Sequence, residues 1–355
     1  MKFKSTRGKV TGFSFEDAVC SGYASDGGLF VPETLPTLAP ATVRALARMT
    51  RFEDVAFVVL RLFISVEEMP DVDLKTLLHD AFVTFPVTNP NNTNAYDNAN
   101  NNVLPTRTLA DGTVIGELFH GPTLSFKDFG QQMLIRLVDY FTTRASLRRC
   151  LVVATTGDTG PAALYAVAAC RSLDIVCGFP RGQVSRLQEL QMTTVDSDNV
   201  SVFAFEGGGD DMDPSIKAVT TSPFAAERKL CGVNSINLAR VTTQVAHYVW
   251  LYTRLAFPNV DDRTDTTTDA TEGKTEDAPL PVVIINVPTG AMGNVMSGYF
   301  ARLVGLPLAL SCSVNANNML HKAVTTGVFS ARYVHMSVIS LNIGLFFSYA
   351  CILLS

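Results

Sequence analysis

A single lysine stands between a phenylalanine and an aspartate in the segment GELFHGPTLSFKDFGQQML, residues 116–134. The apolar neighbours of Lys127 in the sequence are Leu124, Phe126, Phe129, Met133 and Leu134. An ammonium group among apolar side chains has its charged form disfavoured, which lowers its pKa and makes the neutral amine available for a Schiff base. The alternative is a lysine that reaches past Phe126 to water or pairs with Asp128. The local sequence leaves both alternatives open.

Two glycine-rich turns between predicted strands and helices could bind an anion. The first is TTGDTG, residues 155–160, after which a helical pattern begins at Pro161. The second is TGAMGN, residues 289–294. Small residues at a helix N-terminus let backbone N–H groups converge on an anion, although such turns also serve only to pack a helix closely. Because the carboxyl ends of parallel strands meet at one edge of a sheet, both turns are expected at the same edge.

One amine and one anion-binding turn fit a cofactor that bears both an aldehyde and a phosphate. Pyridoxal phosphate is such a cofactor, since its aldehyde reacts with a lysine and its phosphate binds at a helix N-terminus. The two turns therefore favour the Schiff-base interpretation of Lys127.

The elements that must position these residues follow from the pattern of apolar runs. After residue 103, short β-branched runs alternate with helix-length segments. The runs are TVIGEL, CLVVAT, LDIVCGF, VSVFAF, PVVIINV and LALSCSV. Apolar runs without polar alternation predict a parallel sheet covered on both faces, so the fold class is α/β.

Composition divides the chain into four parts. Residues 1–87 form a mostly helical N-terminal domain, and residues 88–102 form an Asn-rich linker or insert. Residues 103–330 form the catalytic α/β region, which carries an acidic insert at 259–279. Residues 331–355 form an atypical apolar tail.

The tail has two interpretations. Its last twenty residues carry no charge, which is long enough to cross a hydrocarbon core. Its polar residues weaken that interpretation, and an abrupt change of pattern also fits a truncated or frame-shifted product. We favour the second interpretation and expect no membrane association.

Charge and residue usage exclude several other functions. A net charge of −5 provides no basic stripe for nucleic acid, so a small-molecule substrate is the better expectation. The seven cysteines form no C-x-x-C pair, which indicates free thiols in a reducing compartment and a cytoplasmic location. The five histidines have no second ligand at metal-binding spacing, so no metal site is predicted.

Several motifs in the same order resemble threonine synthases of the longer, fungal and enterobacterial type. They are HGPTLSFKDFG, TTGDTG, NSINLAR at 234–240, VPTGAMGN, STRG and SDGGLFVP. The resemblance implies a fold-type II pyridoxal phosphate enzyme of tryptophan synthase β-like architecture, with two α/β lobes behind a helical N-terminal domain. It implies conversion of O-phospho-L-homoserine and water to L-threonine and phosphate, by a monomer or homodimer. The alternatives are a phospho-lyase that eliminates phosphate without forming threonine, and a catalytically impaired relative.

The resemblance also implies roles for individual residues. Lys127 would hold the cofactor and, once released from it, remove the α-proton of the substrate. The cofactor phosphate would be bound by Gly290, Ala291, Met292, Gly293 and Asn294. The substrate carboxylate and the cofactor ring oxygen would face Thr156, Asp158 and Thr159, and Arg7 would reach the substrate. The candidates for binding the departing phosphate are Arg7, Lys217 and Arg240.

The chain departs from the family pattern at three places. The phosphate loop of the family usually reads Gly-Asn-Phe-Gly-Asp, whereas Ala291, Met292 and Asn294 replace its second, third and fifth residues. Pro161 stands where a serine is common. The resemblance ends near residue 328, before the segment that usually supplies a hydroxyl to the pyridine nitrogen.

Overall fold

A computed structural model describes residues 1–85, 103–208, 211–258, 278–289, 292–315 and 318–328. The predicted insert at 88–102, nearly all of the acidic insert at 259–279 and the tail at 331–355 lie outside the described residues. In the described parts, a helical N-terminal region comes first, and strands and helices then alternate in an α/β arrangement.

The N-terminal region is mostly helical, as predicted. Its four helices are α1 (Phe15–Ser21), α2 (Pro40–Ala47), α3 (Phe52–Arg61) and α4 (Asp71–Phe82). Helix α1 begins with a capping box, in which Ser14 and Asp17 satisfy each other's backbone N–H groups. Two short strands, β1 (Phe3–Ser5) and β2 (Phe30–Pro32), pair in antiparallel and hold the STRG and SDGG loops together.

The central sheet has four parallel strands in the order β7-β6-β5-β8. These strands are β5 (Arg149–Ala154), β6 (Leu173–Pro180), β7 (Val200–Phe205) and β8 (Leu230–Gly232). The accompanying helices are α5 (Lys127–Arg144), α6 (Thr159–Ala168), α7 (Arg186–Thr193), α8 (Met212–Thr220) and α9 (Pro223–Arg228). The predicted parallel sheet is thus confirmed for three of the apolar runs. Strand β8 was not predicted, because its three residues give too short a signal.

A second parallel pair consists of β9 (Val283–Pro288) and β10 (Leu308–Ser313), connected through α11 (Gly293–Leu303). Helix α12 (Met319–Thr326) follows. The prediction that the β9 run is covered on both faces is not met within the described residues, because Ile284 is 72% exposed.

The run TVIGEL was predicted as part of the parallel sheet, and this prediction is wrong. The run forms β4 (Val114–Gly116), which pairs in antiparallel with β3 (Thr106–Thr108). The reason is local, since Asp111 and Gly112 form a tight turn between the two strands. Gly112 has a φ of 84°, and the Asp111 carboxylate accepts the backbone N–H of Thr113 at 2.9 Å.

Helix α10 (Leu238–Ala256) is the centre of the molecule and packs against α2, α3, α5 and α11. An aromatic cluster joins the N-terminal helices to α5 and α10: Phe52 meets Phe82, Phe129 and Trp250 at ring-centroid distances of 5.0 to 5.8 Å. Such edge-to-face contacts bury large apolar areas and fix relative orientation. The cluster thereby ties the first turn of α5, at Phe129, and the second half of α10, at Trp250, to α3.

Candidate functional site

Asp128 organises the loop that precedes Lys127. It is fully buried and accepts the backbone N–H of Thr123 at 2.9 Å and the Thr123 hydroxyl at 2.7 Å. A Cβ on Gly121 would stand 2.4 Å from the Asp128 side chain, so only glycine fits there. Burial raises the pKa of Asp128, while the bonds from Thr123 favour its ionised form. The alternative in which Lys127 pairs with Asp128 is therefore wrong.

Lys127 pairs with Asp158 instead. The Nζ atom lies 3.3 Å from Oδ2 of Asp158, and the two side chains are 17% and 22% exposed. Burial lowers the pKa of Lys127, the Asp158 carboxylate opposes this shift, and the Arg240 guanidinium adds to it. Lys127 is the first residue of α5, and its amine has a lowered pKa. Its pair with Asp158 joins the HGPTLSFKDFG and TTGDTG motifs.

The TTGDTG turn brings Asp158 to Lys127. The Thr155 hydroxyl accepts the backbone N–H groups of Gly157 at 3.1 Å and Gly160 at 3.0 Å. Gly157 has a φ of 146°, which favours glycine. The Gln188 amide donates to Oδ1 of Asp158, which leaves Oδ2 for Lys127. The sequence did not identify Thr155 or Gln188 as parts of the site.

Two further predicted residues, Thr156 and Thr159, flank Asp158 in this turn. Helix α6 begins at Thr159, two residues before the start predicted at Pro161. The first turn of α6 therefore includes one of the predicted substrate-facing threonines.

The second glycine-rich turn is only partly described, because Gly290 and Ala291 lie outside the described residues. Met292 is buried, and Gly293 begins α11. A Cβ on Gly293 would stand 2.6 Å from the Cβ of Ser235, so the start of α11 approaches the NSINLAR stretch as closely as glycine allows.

Asn294 is held by two neighbouring side chains of α10. Nε2 of His247 lies 3.0 Å from the Asn294 Oδ1, and the Tyr248 hydroxyl donates to the Asn294 backbone carbonyl at 2.9 Å. Burial lowers the pKa of His247 to about 4, so its imidazole is neutral at pH 7. Neither residue was predicted, because α10 carries other polar residues and its sequence does not single out this pair.

The NSINLAR stretch braces the sheet. The Asn234 side chain accepts from the backbone N–H of Ala154 at 3.2 Å and donates to its carbonyl at 2.6 Å, at the end of β5. The side-chain oxygen of Asn237 accepts the backbone N–H of Ala239 and so caps α10. Its side-chain amide donates to the backbone carbonyl of Val19 at 2.8 Å. Asn234 thus positions the end of β5, and Asn237 positions the start of α10.

The three candidates for the departing phosphate occupy two places. The Arg7 guanidinium donates to the Asp26 carbonyl at 2.9 Å. A Cβ on Gly27 would lie 3.4 Å from Nη1 of Arg7 and 3.4 Å from Cε of Lys217, so these two cations converge at the SDGG loop. Arg240 lies elsewhere, 97% buried within α10 and influencing the pKa of Lys127.

Two negative findings concern the described parts of the chain. No group of three His, Cys, Asp or Glu side chains there could hold a metal ion. No helix in those parts combines the length and the apolar character that a membrane crossing requires.

Comparison with known proteins gives a consistent result. A family model described as the threonine synthase N terminus matches residues 2–82. Threonine synthase-like 2 of Mus musculus is 37% identical over 331 residues, and threonine synthase of Pseudomonas aeruginosa is 34% identical over 340 residues. The solved structure of a PLP-bound threonine synthase from Brucella melitensis superposes with a TM-score of 0.79 at 32% identity.

These relatives are longer than the chain. The alignments cover 93% of the chain and 62% of the mouse protein, and 95% of the chain and 65% of the Pseudomonas protein. The structural match covers 97% of the chain and 67% of the Brucella protein. The chain therefore spans about three fifths to two thirds of the length of the proteins it resembles.

Proposed function

The chain belongs to the threonine synthase family, and from this premise we propose that it is a pyridoxal phosphate-dependent lyase that converts O-phospho-L-homoserine and water to L-threonine and phosphate. The observation that carries the proposal is the pairing of Lys127 with Asp158 at 3.3 Å in a largely buried setting. A buried lysine with a lowered pKa is suited to covalent cofactor chemistry and to proton transfer near neutral pH.

The residues present fit this cofactor. Lys127 offers the amine, and Gly293 allows a close backbone approach at the start of α11. We propose that Lys127 holds the cofactor and that its phosphate is bound by Gly290, Ala291, Met292, Gly293 and Asn294. When bound, pyridoxal phosphate supplies an electron sink for the charge that develops on the substrate.

Lys127 also acts as the proton carrier in the proposed reaction. Its Nζ atom removes the proton from the α-carbon of the substrate and returns protons later in the sequence. Asp158 keeps the amine in place, because its carboxylate is itself fixed by the Gln188 amide. A lysine on a flexible stem that is anchored at one carboxylate can serve two neighbouring carbons without leaving the site.

The substrate side of the proposal involves two groups of residues. Thr156 and Asp158, just before α6, and Thr159, its first residue, would face the substrate carboxylate and the cofactor ring oxygen. Arg7 of the STRG loop would act on the substrate from beside the SDGG loop, where Lys217 adds a second cation near Gly27. A pair of cations favours binding of a dianionic phosphate ester.

A second candidate is simple elimination of phosphate, or a chain that binds the cofactor and lacks catalysis. It is favoured by two observations. Threonine synthase-like 2 of Mus musculus is at least as similar to the chain as the bacterial threonine synthase. The phosphate turn also departs from the family pattern at Ala291, Met292 and Asn294. Analysis of the products separates these activities, since both release phosphate and only the synthase forms threonine.

We also propose a cytoplasmic location, with a small molecule as the substrate and a monomer or homodimer as the active form. The location is supported by six cysteines that are free thiols in the described parts of the chain, as expected in a reducing compartment.

The test of the proposal is the absorbance spectrum of the purified chain with pyridoxal phosphate, compared with Lys127→Ala. Lys75→Ala is the matched control, because Lys75 on α4 lies over the ring of Phe57 on α3, outside the site. We expect a bound-cofactor band in the wild type and in Lys75→Ala, and its loss in Lys127→Ala. Identical spectra for all three proteins, with only free cofactor, would contradict the proposal.

A further inference from the structure

Two pairs of strands border one groove, and each pair leaves an edge open to it. The groove has a volume of about 750 Å³ and is lined by residues of β4, β9 and α10. In the described parts of the chain, β4 pairs only with β3, and β9 pairs only with β10. An open strand edge presents backbone N–H and C=O groups to which a further strand can bond.

The open edge of β9 lies at Ile284 and Asn286. The backbone N–H groups of Val283 and Thr289 donate to residues in and next to β10, at 3.1 and 3.0 Å. The odd-numbered residues of β9 therefore bond with the β10 side. Because backbone groups alternate between the two sides of a strand, those of Ile284 and Asn286 point away from β10.

The open edge of β4 is arranged in the same way. The Glu117 N–H and the Thr113 carbonyl bond to the chain at the two ends of β3, at 3.0 and 2.8 Å. The backbone groups of Val114 and Gly116 therefore point away from β3. Both residues line the groove. Each of the two strands thus has an edge that could accept a partner strand.

The groove is apolar and uncharged. None of the described residues that line it is an Asp, Glu, Lys or Arg, and burial lowers the pKa of His247, so its imidazole is neutral at pH 7. Val282 and Ile284, at the border with β9, are 70% and 72% exposed. Parallel strands are ordinarily covered on both faces, and a large exposed apolar surface marks a contact site. The groove therefore requires an apolar partner.

The tail contains a segment with the matching pattern. Residues 339–345 read ISLNIGL, so every second residue is aliphatic. Strict alternation over this length is typical of a strand with one apolar face. The last twenty residues of the chain carry no charge, like the groove. The other long segments outside the described residues do not match, since the first insert is Asn-rich and the second is acidic.

The tail is also long enough to reach the groove. Helix α12 follows β10, which is the neighbour of β9, and the described part of the chain continues to residue 328. The stretch from there to residue 339 spans up to about 36 Å when extended. A folded chain of this length has a radius of gyration of about 20 Å, so the groove lies within reach.

We propose that residues 339–345 of the tail pair with the open edge of β9 and bury their aliphatic side chains in the groove against α10. Main-chain bonds to the edge and apolar contacts with the groove act together in such strand addition. His247 and Asn294 line the same groove, so the added strand would also exclude water from the hydrogen bond between them. The inference does not rest on the proposed reaction.

The first test uses the full chain with the photoreactive residue p-benzoylphenylalanine in place of Ile284. The matched control carries the same residue in place of Leu187, which is 64% exposed on α7. After irradiation in dilute solution and digestion, mass spectrometry identifies the crosslinked peptides. We expect Ile284 to be crosslinked to the tail of the same chain and Leu187 not to be. A crosslink between two chains, or no crosslink to the tail, would overturn the proposal.

The second test is amide hydrogen exchange at Ile284 and Asn286. Lysine is placed on the aliphatic side of the segment in Leu341→Lys, and on its other side in the control Asn342→Lys. We expect exchange at least about 10-fold faster in Leu341→Lys than in the wild type and the control, because the added strand is lost. Unchanged exchange in α10 shows that the fold is intact. Equal exchange at both β9 amides in all three proteins would contradict the pairing.

Discussion

Two sides of the candidate site satisfy their polar groups in opposite ways. On the lysine side, formed by Lys127, Asp158 and Thr155, each charged or hydroxyl group has a partner within the chain. On the arginine side, formed by Arg240 and Gln244, buried donors have no partner among the described residues. Groups that are fixed by the chain are preorganised for reaction, whereas unmatched donors indicate a place for a ligand. The contrast separates chemistry from binding within the candidate site.

Lys127→Ala should have the largest effect on the lysine side. We expect a loss of at least about 10³-fold in kcat, because the same amine holds the cofactor and carries protons. Lys127→Arg should not restore activity, since a guanidinium does not form the required covalent bond at neutral pH. Release of phosphate from O-phospho-L-homoserine is the measurement. Activity within tenfold of the wild type would contradict this role.

Protonation of His247 in acid should destabilise the fold at the edge of the arginine side. Its pKa is lowered from 6.5 to about 4 by burial, so the neutral form is stabilising. The neutral imidazole contributes about 3 kcal/mol to the free energy of unfolding. This contribution is fully present above pH 6.5 and is lost as the pH falls towards 4. Denaturant unfolding of the wild type and of His247→Gln at several pH values is the measurement. An equal acid sensitivity of both proteins would count against it.

Asp158→Asn tests the ion pair between Lys127 and Asp158 on the lysine side. Because Asp158 opposes the lowering of the Lys127 pKa, we expect that pKa to fall further in the variant. The acid limb of the reaction of Lys127 with an amine reagent, followed by mass spectrometry, should move to lower pH. We expect kcat to fall about 10- to 100-fold through lost positioning. A limb that moves to higher pH would show that Asp158 is not the partner.

The sequence identified Lys127 as the candidate lysine, whose reactivity stays a prediction, and did not predict that it pairs with Asp158. The apolar surroundings of Lys127 and the small residues of TTGDTG are local signals, so both were identified. Its partner, Asp158, is 31 positions away, whereas the adjacent Asp128 bonds to Thr123 and Ser125. Which of two carboxylates faces an amine depends on the path of the backbone, which residue types do not encode.

The fold was predicted to a similar degree. The class, the helical N-terminal region and the β5 to β7 strands follow from the period of apolar residues, while the orientation of β4 depends on a turn at Gly112. The burial of Arg240 without a counter-ion among the described residues was not predictable, since it results from the packing of α5, α10 and α11, which lie far apart in sequence. A charged residue in a helix is ordinarily exposed.

The smallest effect is expected at the junction of the two sides. Gly130→Ala would place a Cβ 2.8 Å from Gln244 and 3.0 Å from Arg240, whose side-chain ends can yield. We expect a loss of about 1–2 kcal/mol in the free energy of unfolding and weaker phosphate binding. Unchanged phosphate binding in Gly130→Ala would show that the two sides are not adjacent.

The most direct test of the central claim is to locate the cofactor covalently. The chain is incubated with pyridoxal phosphate, reduced with borohydride and digested, and the modified peptide is identified by mass spectrometry. Lys127 should carry the phosphopyridoxyl group at near-complete occupancy, with the other lysines modified only slightly. A label spread over surface lysines, or one concentrated at a lysine other than Lys127, would contradict the account.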